Sequence, residues 1–184
     1  LFLYLHVLHQ SWPEIGPIMH AKRPRRMPTV FTQEEVLAVL EQLQGTSYLM
    51  ASLLYGAGLR LMECLRLRVK DLDFASHQIA VRDGKGAQDR VTMLPQALIA
   101  HLQRHLNKVQ ALHEEDVAAG YGEVYLPYAL ARKDPNAGKA WVWQYVFPAA
   151  KRSCDPRAGL ERRHHVSATV LQKAVKEAIQ HTGM

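Results

Sequence analysis

Four prolines, Pro13, Pro17, Pro24 and Pro28, fall between Ser11 and Pro28 and constrain this chain more than any other feature. Proline fixes φ and has no N–H to donate, so neither a helix interior nor a central strand can run through that stretch. The chain is therefore divided into a stub at 1–10 and a body at 30–184. The stub is apolar from its first position with no capping residue ahead of it, which reads as the end of a helix from a preceding helical domain. No basic stretch precedes it and no small-residue cleavage site follows, so a secretory signal is not expected here. Between the prolines stand Lys22, Arg23, Arg25 and Arg26, which makes 11–29 a basic interdomain linker.

The body carries helical spacing in several places. Thr32 and Glu35 have the capping-box spacing, and Val36, Leu40 and Leu43 continue on one face, predicting a helix over 33–44. Tyr48 to Tyr55 predicts a second helix, stopped by Gly56 and Gly58. A third is expected from Arg60 through Leu65 to about Arg68. Gln78 to Arg82 and Arg90 to Leu94 flank Asp83-Gly84-Lys85-Gly86, which predicts a hairpin with Val69 to Phe74 nearby. Leu98, Leu102, Leu106, Val109 and Leu112 predict a long helix over 96–116. The stretch 120–141 reads as loop. Val170, Leu171, Ala174, Val175 and Ala178 predict a last helix over 167–181. The expected fold is mainly α with a small antiparallel β-sheet, and 48% hydrophobic against 22% charged residues among 184 supplies a core for it.

Composition narrows the partners. The longest apolar runs, such as Tyr48 to Ala57, are well short of the roughly 20 residues a membrane span needs. Two cysteines, Cys64 and Cys154, show neither CxxC pairing nor metal-ligand spacing, which fits a reducing cytoplasm and leaves no metal site. The formal net charge is +6. It is concentrated in Lys22 to Arg26 and in a second segment holding Lys151, Arg152, Arg157, Arg162 and Arg163 against Asp155 and Glu161. Such patches suit a polyanion, although solvated loops have the same composition. Arg60, just past Gly58, is placed to give a forked pair of hydrogen bonds to a phosphate, or to pair with Glu63 on the surface. Lys85 between two glycines is either a solubilising hairpin tip or a mobile amine able to reach a phosphate.

The string Tyr55-Gly56-Ala57-Gly58-Leu59-Arg60-Leu61-Met62-Glu63-Cys64-Leu65-Arg66-Leu67, followed by Val69-Lys70-Asp71-Leu72-Asp73-Phe74, Gly84-Lys85-Gly86 and Asp89-Arg90, resembles the first catalytic block of tyrosine recombinases. Tyr125-Leu126-Pro127-Tyr128-Ala129-Leu130 and Arg162-Arg163-His164-His165 leading into Leu171-Gln172-Lys173-Ala174-Val175 resemble the insertion that marks the integron integrases. The resemblance covers essentially the whole chain. It implies a partial recombinase catalytic domain over 30–184 with an integron-type insertion at about 117–165, behind a remnant of the N-terminal core-binding domain at 1–10.

The resemblance also implies roles. A tyrosine would attack a DNA phosphodiester to leave a 3′-phosphotyrosyl link, so that gene cassettes are integrated and excised without ATP or any cofactor. Arg60 would hold phosphate oxygens as charge builds, Lys85 would protonate the departing 5′-oxygen, and Glu63 would orient Arg60. Lys22, Arg23, Arg25, Arg26, Arg162 and Arg163 would contact DNA. His164 and His165, with Pro156 packed beside them, and Trp143 would read bases extruded from folded single-stranded cassette sites; the integration site is duplex. The intact protein would act as a tetramer on DNA. Trp143 has a second reading, since Trp141, Trp143 and Tyr145 alternate at strand spacing and suit core burial with Phe147. The family's second block, His-x-x-Arg and then the nucleophile, is expected after a helix like that ending near His181, and none of the seven tyrosines has a matching context. The chain thus reads as an internal fragment without its nucleophile. A non-catalytic DNA-binding module is the alternative, and a plain helical interaction domain would leave Gly58-Leu59-Arg60 and Gly84-Lys85-Gly86 unexplained.

Overall fold

The computed structural model describes residues 2–10, 30–82, 89–126, 130–156 and 159–183. The chain divides into two units, Leu1–Val30 and Phe31–Met184. In the first, Leu3–Val7 winds as a π turn, closed by the Leu8 N–H on the Leu3 carbonyl at 2.9 Å. The basic segment Lys22 to Arg26 lies outside the described residues.

The second unit begins with α1 (Gln33–Gln42), whose start is set by the expected capping box. Glu35 N donates to Thr32 Oγ1, and Thr32 N donates to Glu35 Oε2 at 2.7 Å. Next, α2 (Gly45–Ala57) starts three residues before the expected Tyr48 and passes through Gly56; only Gly58, at φ +62°, ends it. Gly56 lies inside the helix where it packs on Pro95 without room for a side chain: a Cβ would stand 2.9 Å from Pro95 Cγ. The third helix, α3 (Leu61–Leu65), stops short of the expected Arg68, which is already extended.

A 3-10 turn at Val69–Asp71 leads into β1 (Leu72–Asp73), then β2 (Gln78–Val81) and β3 (Arg90–Met93). The three form an antiparallel sheet in that order, with Leu72 opposite Ile79 and Ile79 opposite Thr92. The tip at 83–88, including Lys85, lies outside the described residues. Strand β2 buries Ile79 and Val81, as alternation requires. Strand β3 departs from that pattern: apolar Val91 and Met93 are exposed, while Thr92 Oγ1 donates to the Ala57 carbonyl at 2.8 Å.

The long helix α4 (Gln96–Ala118) buries Leu98, Leu102, Leu106 and Val109 along one stripe. The stretch expected to be loop contains α5 (Leu130–Lys133) and two 3-10 turns, Ala137–Lys139 and Trp141–Trp143. The last of these replaces the strand alternation expected of Trp141 and Trp143. A second small sheet pairs β4 (Ser153–Cys154) with β5 (Glu161–Arg162), and α6 (Ala168–His181) follows, capped by Ser167. Leu53, Leu65, Ile79, Leu102, Val146 and Phe147 are fully buried in the main core, where each such side chain stabilises by about 1.5–3 kcal/mol. A smaller cluster gathers Val124, Leu126, Ala137 and Tyr145, with Leu130 and Trp143 packed against it. The unit is mainly helical with a small antiparallel sheet, and no described helix is long and apolar enough to cross a membrane.

Candidate nucleic-acid interface

Three extended segments far apart in sequence run side by side and assemble the site. Arg68 bridges to Tyr145, and Pro148 bridges to His165. The Val69 N–H donates to the Gln144 carbonyl, Val146 N–H to Leu67, and Val166 N–H to Phe147. Residues 67–69, 144–149 and 164–166 are thereby locked in register. They border an open cleft of about 1140 Å³ lined by Arg66, Arg68, Lys70, Trp143, Tyr145 and His164 among others, with Glu63 and Pro156 also on its walls.

Arg68 is the pin of this cleft. Its guanidinium is buried, donating to the Trp143 carbonyl at 2.6 Å, the Tyr125 carbonyl at 2.8 Å and the Tyr145 hydroxyl at 3.4 Å, and it lies 4.6 Å from the Tyr145 ring centroid. Lys70 Nζ stands 3.3 Å from the centroid of the Trp143 ring, a close cation–π contact. Burial holds the Lys70 ammonium below its ordinary pKa, with nearby Arg82 adding to the effect. Among the described residues, Arg66, Arg68 and Lys70 have no carboxylate within ion-pair distance.

His164 completes the aromatic wall, while His165 packs against it and is not among the residues lining the cleft. The His164 ring stacks on Tyr145 at 5.4 Å and 19°, and His165 meets Tyr145 edge-on at the same distance. His165 N donates to His164 Nδ1 at 2.8 Å, and His165 Nδ1 bonds the Val166 carbonyl. Burial lowers the pKa of both imidazoles, with Arg66 and Arg68 adding to the effect on each and His165 adding to it on His164. Trp143 is half-buried, neither wholly core nor wholly surface.

A second centre, joined to the cleft through Glu63, surrounds Arg60. This residue caps α3 with its side chain 58% exposed, while Glu63 beneath it is 7% exposed. Glu63 Oε2 accepts from the Arg60 backbone N–H at 2.8 Å, and Oε1 accepts from Arg60 Nη1 at 2.7 Å. Arg90, from β3, donates Nη1 and Nη2 to the two oxygens at 2.8 and 2.7 Å. That fork, with the Arg60 bonds, outweighs burial and holds the Glu63 carboxyl at about 2. Cys64, next to it in sequence, is a core residue: burial pushes its thiol up to about 12.

The second basic patch has a different character from the one its composition suggests. Arg163 donates Nε and Nη2 to the two oxygens of Asp116 at 2.6 and 2.9 Å and Nη1 to the Ala149 and Ala150 carbonyls. Arg152 pairs with Asp116 and Glu161, and Arg162 with Glu123 and Asp155. Arg163 and Arg162 are only 13% and 14% exposed. These arginines cross-link the segment after 150 to the end of α4 and to Glu123, so most of the patch's charge is neutralised internally. Arg157 lies outside the described residues. The sequence reading did not single out Arg68, Lys70 or Tyr145 for this site; only the bridged strands bring them to Trp143 and the histidines.

An arginine on a helix cap, held by a shared carboxylate beside a cationic, aromatic cleft, is a site suited to phosphate and base. Residues 29–184 match the model of the Phage integrase family, and the chain belongs to that family. Similar proteins include two described as "Integrase/recombinase", from Escherichia coli and Pseudomonas aeruginosa, each 44% identical over 184 residues, which is all of this chain and 55% of theirs. A "Tyrosine recombinase XerA" of Pyrococcus furiosus is 33% identical over 98 residues, covering 52% of this chain and 34% of that protein. The fold is similar to a crystal structure of XerA recombinase, with a TM-score of 0.51 and 19% identity over 96% of this chain and 49% of the other. The chain thus spans about half the length of the two "Integrase/recombinase" relatives.

Proposed function

We propose that this chain is part of a site-specific DNA recombinase of the integron integrase type, which integrates and excises gene cassettes through a 3′-phosphotyrosyl intermediate. The observation that carries the DNA-binding part is the cleft itself, where Arg66, Arg68 and Lys70 adjoin Trp143, Tyr145 and His164 with no side-chain ion pair to a carboxylate among the described residues. Cations supply the attraction to phosphate and ring faces supply stacking for an unpaired base. In this reading Arg60 holds phosphate oxygens, Lys85 is the general acid, Glu63 orients Arg60, and the nucleophile belongs to the part of the protein beyond this chain. The working assembly is a tetramer on DNA, in the cytoplasm. Lys22, Arg23, Arg25 and Arg26 add backbone contacts. Arg162 and Arg163 serve first as cross-links, and any contact they make with DNA uses what their ion pairs leave free.

The test is the affinity of the purified chain for a DNA hairpin carrying unpaired bases, measured across a salt series. The expected result is binding that weakens steeply as salt rises, with a shallower slope for Lys70→Met. Affinity that does not change with salt contradicts the proposal.

A further inference from the structure

The turn that presents Arg60 is held from a second side, by the first residue of β3. Each Glu63 oxygen carries two donors. Oε1 takes Arg90 Nη1 and Arg60 Nη1, and Oε2 takes Arg90 Nη2 and the Arg60 backbone N–H. Arg90 Nη2 also lies 3.4 Å from the Gly58 carbonyl, and two residues along, Thr92 binds the Ala57 carbonyl. One edge of β3 is thus stitched to the end of α2 and to the Gly58-Leu59-Arg60 turn.

The division of donors matters. Arg90 spends both terminal nitrogens on Glu63, whereas Arg60 spends one, and its Nε and Nη2 have no partner among the described residues. A carboxylate gripped by a fork cannot rotate to accept a second fork, so Arg60 is prevented from closing onto Glu63 as a bidentate pair. We infer that Arg90 is a positioning residue for Arg60: it immobilises Glu63 so that Arg60 is tied by one nitrogen and keeps its other donors turned outward for a phosphate. This rests on the reading of Arg60 as a phosphate ligand. The depressed Glu63 pKa agrees with the four-donor geometry.

The test uses the 184-residue chain with ¹³C-labelled glutamate and ¹⁵N-labelled arginine in NMR, with inorganic phosphate as the probe. In Arg90→Met the Glu63 carboxyl should titrate well above its wild-type value of about 2, towards 4.5, and the Arg60 Nε signal should move as Arg60 closes onto Glu63. Arg90→Lys keeps the charge without the fork and should restore the titration in part and the Arg60 signal little. Thr92→Val removes a neighbouring β3 to α2 hydrogen bond and should leave both signals in place, which separates positioning from general loosening of the sheet. Phosphate should shift the Arg60 signal of the wild-type chain, with apparent affinity at least fivefold weaker in Arg90→Met. A wild-type chain that ignores phosphate, with Arg60 still moved by Arg90→Met, would sink the phosphate-ligand reading and leave the positioning role standing. Glu63 still titrating at about 2, or an unmoved Arg60 signal, in Arg90→Met overturns the inference.

Discussion

At the scale of single residues, the site is governed by how carboxylates are shared among arginines. Glu63 is depressed by its arginine bonds, so the stability it contributes is fully present above its unfolded value near 4.5 and is lost as pH falls towards 2. Glu63→Gln should cost about 1–3 kcal/mol at pH 7, since it leaves two arginines around a neutral amide, and that cost should shrink as pH drops through this window. Urea midpoints at pH 7, 4 and 3 check this; an equal deficit at every pH would mean that the charge of Glu63 is irrelevant. The Arg60 and Glu63 pairing was legible in the sequence because three residues of helix spacing bring them together. Arg90, 27 residues from Glu63, carries no local signal of its part.

At the scale of elements, helices with a continuous apolar stripe could be read from spacing alone, as α1, α4 and α6 show. Short pieces could not. The strands β4 and β5 have two residues each, too few for a period, and Trp141–Trp143 winds as a 3-10 turn although its alternation suits a strand. The second basic patch was misleading for a related reason. The carboxylates that neutralise it, Asp116 and Glu123, lie 36 to 47 residues away from the arginines they hold. Asp116 is the keystone of that network, its carboxyl held below the usual range by Arg163 and then Arg152. Asp116→Asn leaves two arginines underpaired and should destabilise by about 3 kcal/mol, lowering Tm by several degrees, whereas Glu161→Gln at the exposed end should cost under about 1 kcal/mol. Calorimetry of the two variants distinguishes a buried cross-link from a solvated patch, for which both losses would be small.

At the scale of the whole molecule, the fold brings two chemistries to one unit: a cationic aromatic cleft and a clamped arginine turn. In the cleft, Trp143 is supported by Lys70 and Arg68, and the histidines by Tyr145, so the aromatic faces are held before any ligand arrives. The measurement that bears most directly on the account is a comparison of two DNA substrates at one salt concentration, a hairpin with extrahelical bases and the same sequence fully paired. Trp143→Ala and His164→Ala, each shown to be folded by circular dichroism, should lose roughly 1–3 kcal/mol of binding to the hairpin per stacking contact removed. Both should bind the duplex almost as the wild-type chain does, because paired bases keep their faces inside the stack while the cations still meet the backbone. Equal losses on the two substrates would contradict the account, making the tryptophan and histidine packing residues of an interface that reads only phosphate.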